Sequence, residues 1–92
     1  MILYAEVECM LYEGNSLKAK RSVLKRVMNK LRQSFNVSVS EIGFHDLWQR
    51  TSLGIAIVST DYVHAEKVIQ QALHTIDSFS ELERTITNVE RL

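Results

Sequence analysis

Leu53-Gly54-Ile55-Ala56-Ile57-Val58, residues 53–58, is apolar at every position. A strand with one wet face alternates apolar and polar residues, so a short run that is apolar on both faces belongs in the middle of a sheet. On its N-terminal side His45-Asp46-Leu47-Trp48-Gln49 reads as a tight connection from an earlier strand. In that strand Val37 and Val39 alternate with Ser38 and Ser40, and then Ile42 and Phe44 appear in the opposite phase. The phase change fits either a β-bulge or an apolar patch on the far side of the sheet. On the C-terminal side Thr60 or Asp61 caps a helix whose Ala65, Val68, Ile69, Ala72, Leu73 and Ile76 form one stripe. Leu82 to Leu92 returns as a polar last strand.

The N-terminal half repeats the pattern. Ile2 to Tyr12 alternates, with Leu3, Ala5, Val7, Cys9 and Leu11 on one face and Ile2, Tyr4, Glu6, Glu8, Met10 and Tyr12 on the other. Glu13-Gly14-Asn15-Ser16 is a turn, and Asn15 or Ser16 caps a helix running to about Phe35, with Asn36 suited to a left-handed exit. Leu17, Leu24, Val27, Met28, Leu31 and Phe35 fall within roughly a third of the helical wheel. The order is therefore β-α-β-β-α-β. Two helices that each bury one stripe must share one face of a four-stranded antiparallel sheet, which is the α+β, ferredoxin-like βαββαβ arrangement with its other sheet face open.

Ninety-two residues, 46% of them hydrophobic, with three Gly and no Pro, predict a single ordinary globular domain over residues 1–92. The lone Cys9 excludes an internal disulfide and a Cys-Cys zinc ribbon within one chain. The longest apolar run is residues 53–58, far below the roughly 18–20 residues of a membrane span, and the N-terminus lacks the order of a signal peptide. The expectation is a soluble, cytoplasmic protein without a membrane partner.

The formal net charge of zero hides a segregation along the chain. Residues 14–40 hold Lys18, Lys20, Arg21, Lys25, Arg26, Lys30 and Arg32 and no acid, whereas residues 41–92 hold eight acids against four bases. Lys18, Arg21, Lys25 and Arg32 cluster within about 60° of the first helix's wheel, opposite the apolar stripe, and Arg26 and Lys30 adjoin them. Lys18, Lys20 and Arg21 crowd the helix's first turn, where cations oppose the helix dipole. A face that accepts this penalty is either simply solvated or built to meet a polyanion.

No other grouping carries chemistry as well. Glu6 and Glu8 share a sheet face but lack a third ligand, and pairing with arginines of neighbouring strands such as Arg84 accounts for them. His64 and His74 are ten residues apart on one helix, too far for a two-histidine metal site. His45-Asp46 has no nucleophile in a recognisable motif, Cys9 lies in the buried phase of its strand, and Gly54 fits close packing of a helix. Catalytic residues, metal and cofactor are expected to be none. Trp48, the only tryptophan, stands beside Gln49 and Arg50 in a connection, where it either caps the core or stacks a base while its neighbours meet phosphate. The open sheet face offers Glu6 and Glu8 where an RNA-recognition motif needs aromatic and basic residues, which disfavours RNA there. Its Tyr4, Met10 and Tyr12 suit pairing with a second copy.

At Ser16-Leu17-Lys18-Ala19-Lys20-Arg21-Ser22-Val23-Leu24-Lys25, Phe35-Asn36-Val37-Ser38-Val39, Asp46-Leu47-Trp48-Gln49-Arg50 and Leu53-Gly54, the chain resembles the bacterial YlxP-like family of unknown function. The resemblance spans almost the whole chain. It implies a ferredoxin-like fold, a cytoplasmic location, no established catalytic residues and a connection with RNA or ribosomes, since genes of that family often neighbour those for translation initiation and ribosome maturation factors. The resulting expectation is a non-enzymatic domain that binds RNA or a ribosomal particle through the basic first helix, with Trp48, Gln49 and Arg50 as helpers. A homodimer formed through the open sheet face is the alternative.

Overall fold

The computed structural model describes residues 1–12 and 15–92, so the Glu13-Gly14 part of the expected turn lies outside the described residues. The elements are β1 (Ile2–Leu11), α1 (Leu17–Ser34), β2 (Ser38–Gly43), β3 (Arg50–Val58), α2 (Tyr62–Asp77) and β4 (Leu82–Arg91), in one sheet ordered β2-β3-β1-β4. The fold is the ferredoxin-like βαββαβ domain, with β1 and β3 central and antiparallel. Leu3, Ala5, Val7 and Cys9 stand opposite Ile57, Ile55, Leu53 and Thr51, so both central strands turn the same phase toward the helices. These residues are buried together with Val23, Leu24, Val27 and Leu31 of α1 and Ala65, Ile69, Ala72, Leu73 and Ile76 of α2. Burial of each large aliphatic side chain here contributes about 1.5–3 kcal/mol.

Side-chain caps set where the helices begin. Ser16 Oγ accepts from the Ala19 backbone N–H at 3.1 Å, and Asp61 rather than Thr60 caps α2 by accepting from the Val63 N–H at 3.0 Å. α1 ends at an extended Phe35, whose N–H still reaches the Leu31 carbonyl at 2.9 Å, so Asn36 does not take the left-handed exit expected of it. Among the described residues the one positive φ outside glycine is at Phe44, 60°.

Two irregularities aim side chains. In β2 the register shifts between Glu41 and Gly43, which establishes the bulge and leaves Ile42 on the open face. In β4 it shifts opposite Glu8 and Cys9, which moves Arg84 to the position facing Cys9 and so to the helix side. There Arg84 makes a two-pronged contact with Asp77 of α2, Nε to Oδ1 at 2.7 Å and Nη2 to Oδ2 at 2.9 Å. Arg84 is thus not the partner of Glu6 or Glu8, as its position in the sequence suggested.

Gly54 also differs from expectation. It faces the open side of the sheet, away from the helices, and a Cβ there would lie 3.0 Å from the Tyr4 hydroxyl and 3.1 Å from Ile42 Cγ2. Tyr4 of β1 and Ile42 of β2 both close in on the space over β3 that a side chain here would take.

Candidate nucleic-acid interface

α1 contains no acid, so its outward cations find no partner along their own helix. Lys18, Arg21, Lys25 and Lys30 are exposed and make no ion pair among the described residues. Two others are engaged. Arg26 pairs with Glu81 and lies 6.0 Å from the Phe79 ring centroid, and Arg32 donates from Nη2 to the Val39 carbonyl at 2.9 Å. The Arg32 contact covers part of the exposed β2 edge and shows that the flank of α1 carrying Arg21, Lys25 and Arg32 overhangs that edge. Arg26 holds the carboxyl of Glu81 below its usual range through their hydrogen bond, as Arg84 does for Asp77.

Lys20 departs from the rest of the basic set. Its side chain is 2% exposed, and Nζ donates to the carbonyls of Phe44 at 2.7 Å and Leu47 at 2.6 Å while pairing with Glu41 Oε2 at 2.9 Å. Glu41 also accepts from Thr51 Oγ1 at 2.6 Å, and no buried side-chain N or O among the described residues is left without a partner. Three acceptors for three ammonium protons give a fully satisfied buried cation. Lys20 therefore cannot meet a phosphate, because water and any ligand are excluded from it. The wheel already carried this signal: Lys20 lies four, seven and eleven residues before Leu24, Val27 and Leu31, inside the apolar stripe between Val27 and Leu31.

The three expected helpers divide. Gln49 accepts at its backbone carbonyl from the Leu11 N–H at 2.8 Å, which ties it to the end of β1. Arg50 opens β3 opposite Met10, reaches Glu8 Oε1 at 3.3 Å and lies 4.0 Å from the Phe44 ring centroid, so it serves the open sheet face rather than the helix side. Trp48 is 37% exposed, so part of its ring lies at the surface and the rest is covered. Of the residues expected on the self-pairing face, Met10 is 38% exposed, Tyr12 follows the end of β1 and is 63% exposed, and Tyr4 is half-buried with its hydroxyl donating to Glu6 Oε1 at 3.1 Å. Burial and that carboxylate raise the Tyr4 phenol above its ordinary value.

Elsewhere the chemistry is sparse. Burial pushes the Cys9 thiol up to about 11, which suits a core residue and not a nucleophile. His45 Nε2 lies 3.1 Å from the Glu41 carbonyl. Among the described residues no group of three or more His, Cys, Asp or Glu is placed to hold a metal ion, and no helix is long and apolar enough to cross a membrane.

These features define a small ferredoxin-like α+β domain with a basic helix on one side and a carboxylate-bearing sheet on the other. The chain belongs to the family described as "Protein of unknown function (DUF503)", whose model matches residues 2–89. It is 57% identical over 90 residues to the uncharacterized protein YlxP of Bacillus subtilis (strain 168), covering 98% of each chain. Among solved structures it is similar to a mutant of SnoaB, a cofactor-independent oxygenase from Streptomyces nogalater, with a TM-score of 0.62, 9% identity, and coverage of 99% of this chain and 92% of that one. A C-terminal segment of the alpha subunit of aIF2 from Pyrococcus abyssi matches with a TM-score of 0.55 and 19% identity over 100% of this chain and 50% of that one. The de novo designed protein Ferredog-Diesel matches with a TM-score of 0.50 and 12% identity over 99% and 85%. At these identities the structural likenesses concern the fold alone.

Proposed function

We propose that this domain is a non-enzymatic, cytoplasmic RNA-binding module that meets the phosphate backbone of RNA, free or in a ribosomal particle, through the outer face of α1. The observation that carries the reading is the row Lys18, Arg21 and Lys25, exposed and without an ion-pair partner among the described residues, on a helix that has no acid. A helix selected only for solubility interleaves both signs, because pairs three and four residues apart stabilise it by a few tenths of a kcal/mol each. Here that stabilisation is forgone along the whole element. The opposite side of the domain supports the same assignment: Glu6, Glu8, Glu83 and Glu90 lie on the open sheet face with Arg50 as its one guanidinium, and that face repels a polyanion.

Four phosphate contacts by Lys18, Arg21, Lys25 and Lys30 correspond to a log-log salt slope of about −3. Replacing Lys18, Arg21 and Lys25 together with Gln keeps good helix formers at exposed positions, so the fold survives while affinity falls and the slope flattens by about two to three units. Filter binding of ribosomal RNA across a salt series measures both quantities. Unchanged affinity of the triple variant in moderate salt would falsify the reading and reduce the row to a solvated face.

A further inference from the structure

α1 and the β2–β3 connection are tied together from within. The ammonium of Lys20 holds the Phe44 and Leu47 carbonyls at 2.7 and 2.6 Å, in a place that water does not reach. The turn it grips is closed by the Leu47 N–H donating to the Phe44 carbonyl at 3.1 Å, and Phe44 holds a left-handed φ of 60°. The next residue is Trp48, left 37% exposed beside a 44% exposed Leu47. A backbone pinned on its inner side keeps part of this tryptophan at the surface, where it presents apolar area to solvent.

The same tie fixes where the tryptophan stands relative to the cations. Arg21 follows Lys20 in α1, and Trp48 follows Leu47 in the loop, so the bond from Lys20 Nζ to the Leu47 carbonyl at 2.6 Å ties the stretch of helix carrying Arg21 to the stretch of loop carrying Trp48. Arg32, at the far end of α1, marks the other end of the same flank by its bond to Val39 of β2. Arg21, Lys25 and Arg32 therefore form a ridge above the β2 edge that ends at the Trp48 loop.

We infer that this ridge is a site for single-stranded RNA, in which Arg21 and Lys25 hold consecutive stretches of the phosphate backbone and Trp48 stacks an unpaired base. The inference rests on the RNA reading of α1 and narrows it to one class of ligand. A duplex keeps its bases stacked inside and offers this ridge only phosphates; a single strand also offers the face of a base, and an aromatic platform is tolerant of sequence because every base has one.

Trp48 is the only tryptophan, so intrinsic fluorescence reports on this position alone. The test titrates the intact protein with a short single-stranded oligouridylate and with an RNA duplex of the same length, in low and moderate salt. Expected are quenching of the fluorescence by the single strand and not by the duplex, and a loss of single-strand affinity of about five-fold or more in Trp48→Ala. Trp48→Phe, which keeps a stacking ring, should retain most of that affinity, and duplex binding should be the same in all three proteins. Equal binding of both RNAs, with Trp48→Ala indistinguishable from the parent while the triple Gln variant loses affinity, overturns the single-strand assignment and leaves the basic-helix reading standing. Absence of binding to either RNA at low salt overturns both.

Discussion

Lys20 shows how one residue type serves two ends within a single turn of helix. Lys18 and Arg21 stay in water, but Lys20 is drawn into the apolar face and held by two carbonyls and the Glu41 carboxylate. Removing one partner of a buried pair leaves an uncompensated charge, which typically costs about 3–5 kcal/mol. Glu41 keeps 17% of its side chain exposed and still accepts from Thr51, so Lys20→Met should lower unfolding free energy by about 3 kcal/mol, the bottom of that range. Adding Glu41→Gln should recover part of the loss, because the remaining carboxamide carries no charge to strand. Urea unfolding of the two variants measures it, and a double variant no more stable than Lys20→Met alone would show that the lost carbonyl contacts, not the ion pair, set the cost. Cys9 makes the complementary point: with its thiol at about 11 when folded against an ordinary value of 9.0, the unfolded chain loses that proton first, and this group's contribution to stability falls as pH rises through that window.

At the scale of the element, β3 works as a spacer as well as a central strand. Its helix-side residues Leu53, Ile55 and Ile57 fill the core, while Gly54 on the other side leaves a trough that Tyr4 and Ile42 enter. A side chain at residue 54 competes directly with both for that space. Gly54→Ala asks the Tyr4 hydroxyl end to give by a few tenths of an ångström, and the expected stability change is below about 1 kcal/mol. Gly54→Leu displaces both neighbours and should cost about 1–3 kcal/mol, measured by thermal unfolding; no difference between the two variants would mean that the packing of Tyr4 and Ile42 over Gly54 contributes nothing. α1 divides its labour in the same manner. One stripe is core, Arg32 and Arg26 brace neighbouring elements, and the residues left over are the ridge.

The whole molecule is electrically two-sided. Glu6, Glu8, Glu83 and Glu90 share the open sheet face with the exposed apolar residues Ile2, Met10 and Ile86. A two-fold dimer through that face would bring each copy's carboxylates against the other's, since an isologous contact uses the same patch twice. Self-association through the sheet is accordingly expected to be weak in low salt and to strengthen as salt screens the carboxylates, the reverse of the dependence expected for RNA binding. Light scattering over a wide concentration range, at low and high salt, separates the two. A tight dimer at low salt that Tyr4→Glu dissociates would make the sheet face the working surface instead.

Periodicity alone determined the order of elements, the central place of residues 53–58 and the placing of both helices on one face, because each follows from local repeats of two or about 3.6 residues. The charge asymmetry was equally legible, since seven cations without an acid in residues 14–40 is a property of the chain. Tertiary structure decided which of those cations face water. The wheel placed Lys20 in the apolar stripe and the alternation of β2 placed Glu41 in phase with Val37 and Val39, yet burial of a charge is settled only by a partner, and this one arrives from another element. The two bulges likewise had no unambiguous local signal, and they are what turns Arg84 toward Asp77 and Ile42 toward Gly54. Local patterns record which face a residue prefers; which groups meet across elements depends on register and closure, and those are fixed when the sheet and helices pack as one body.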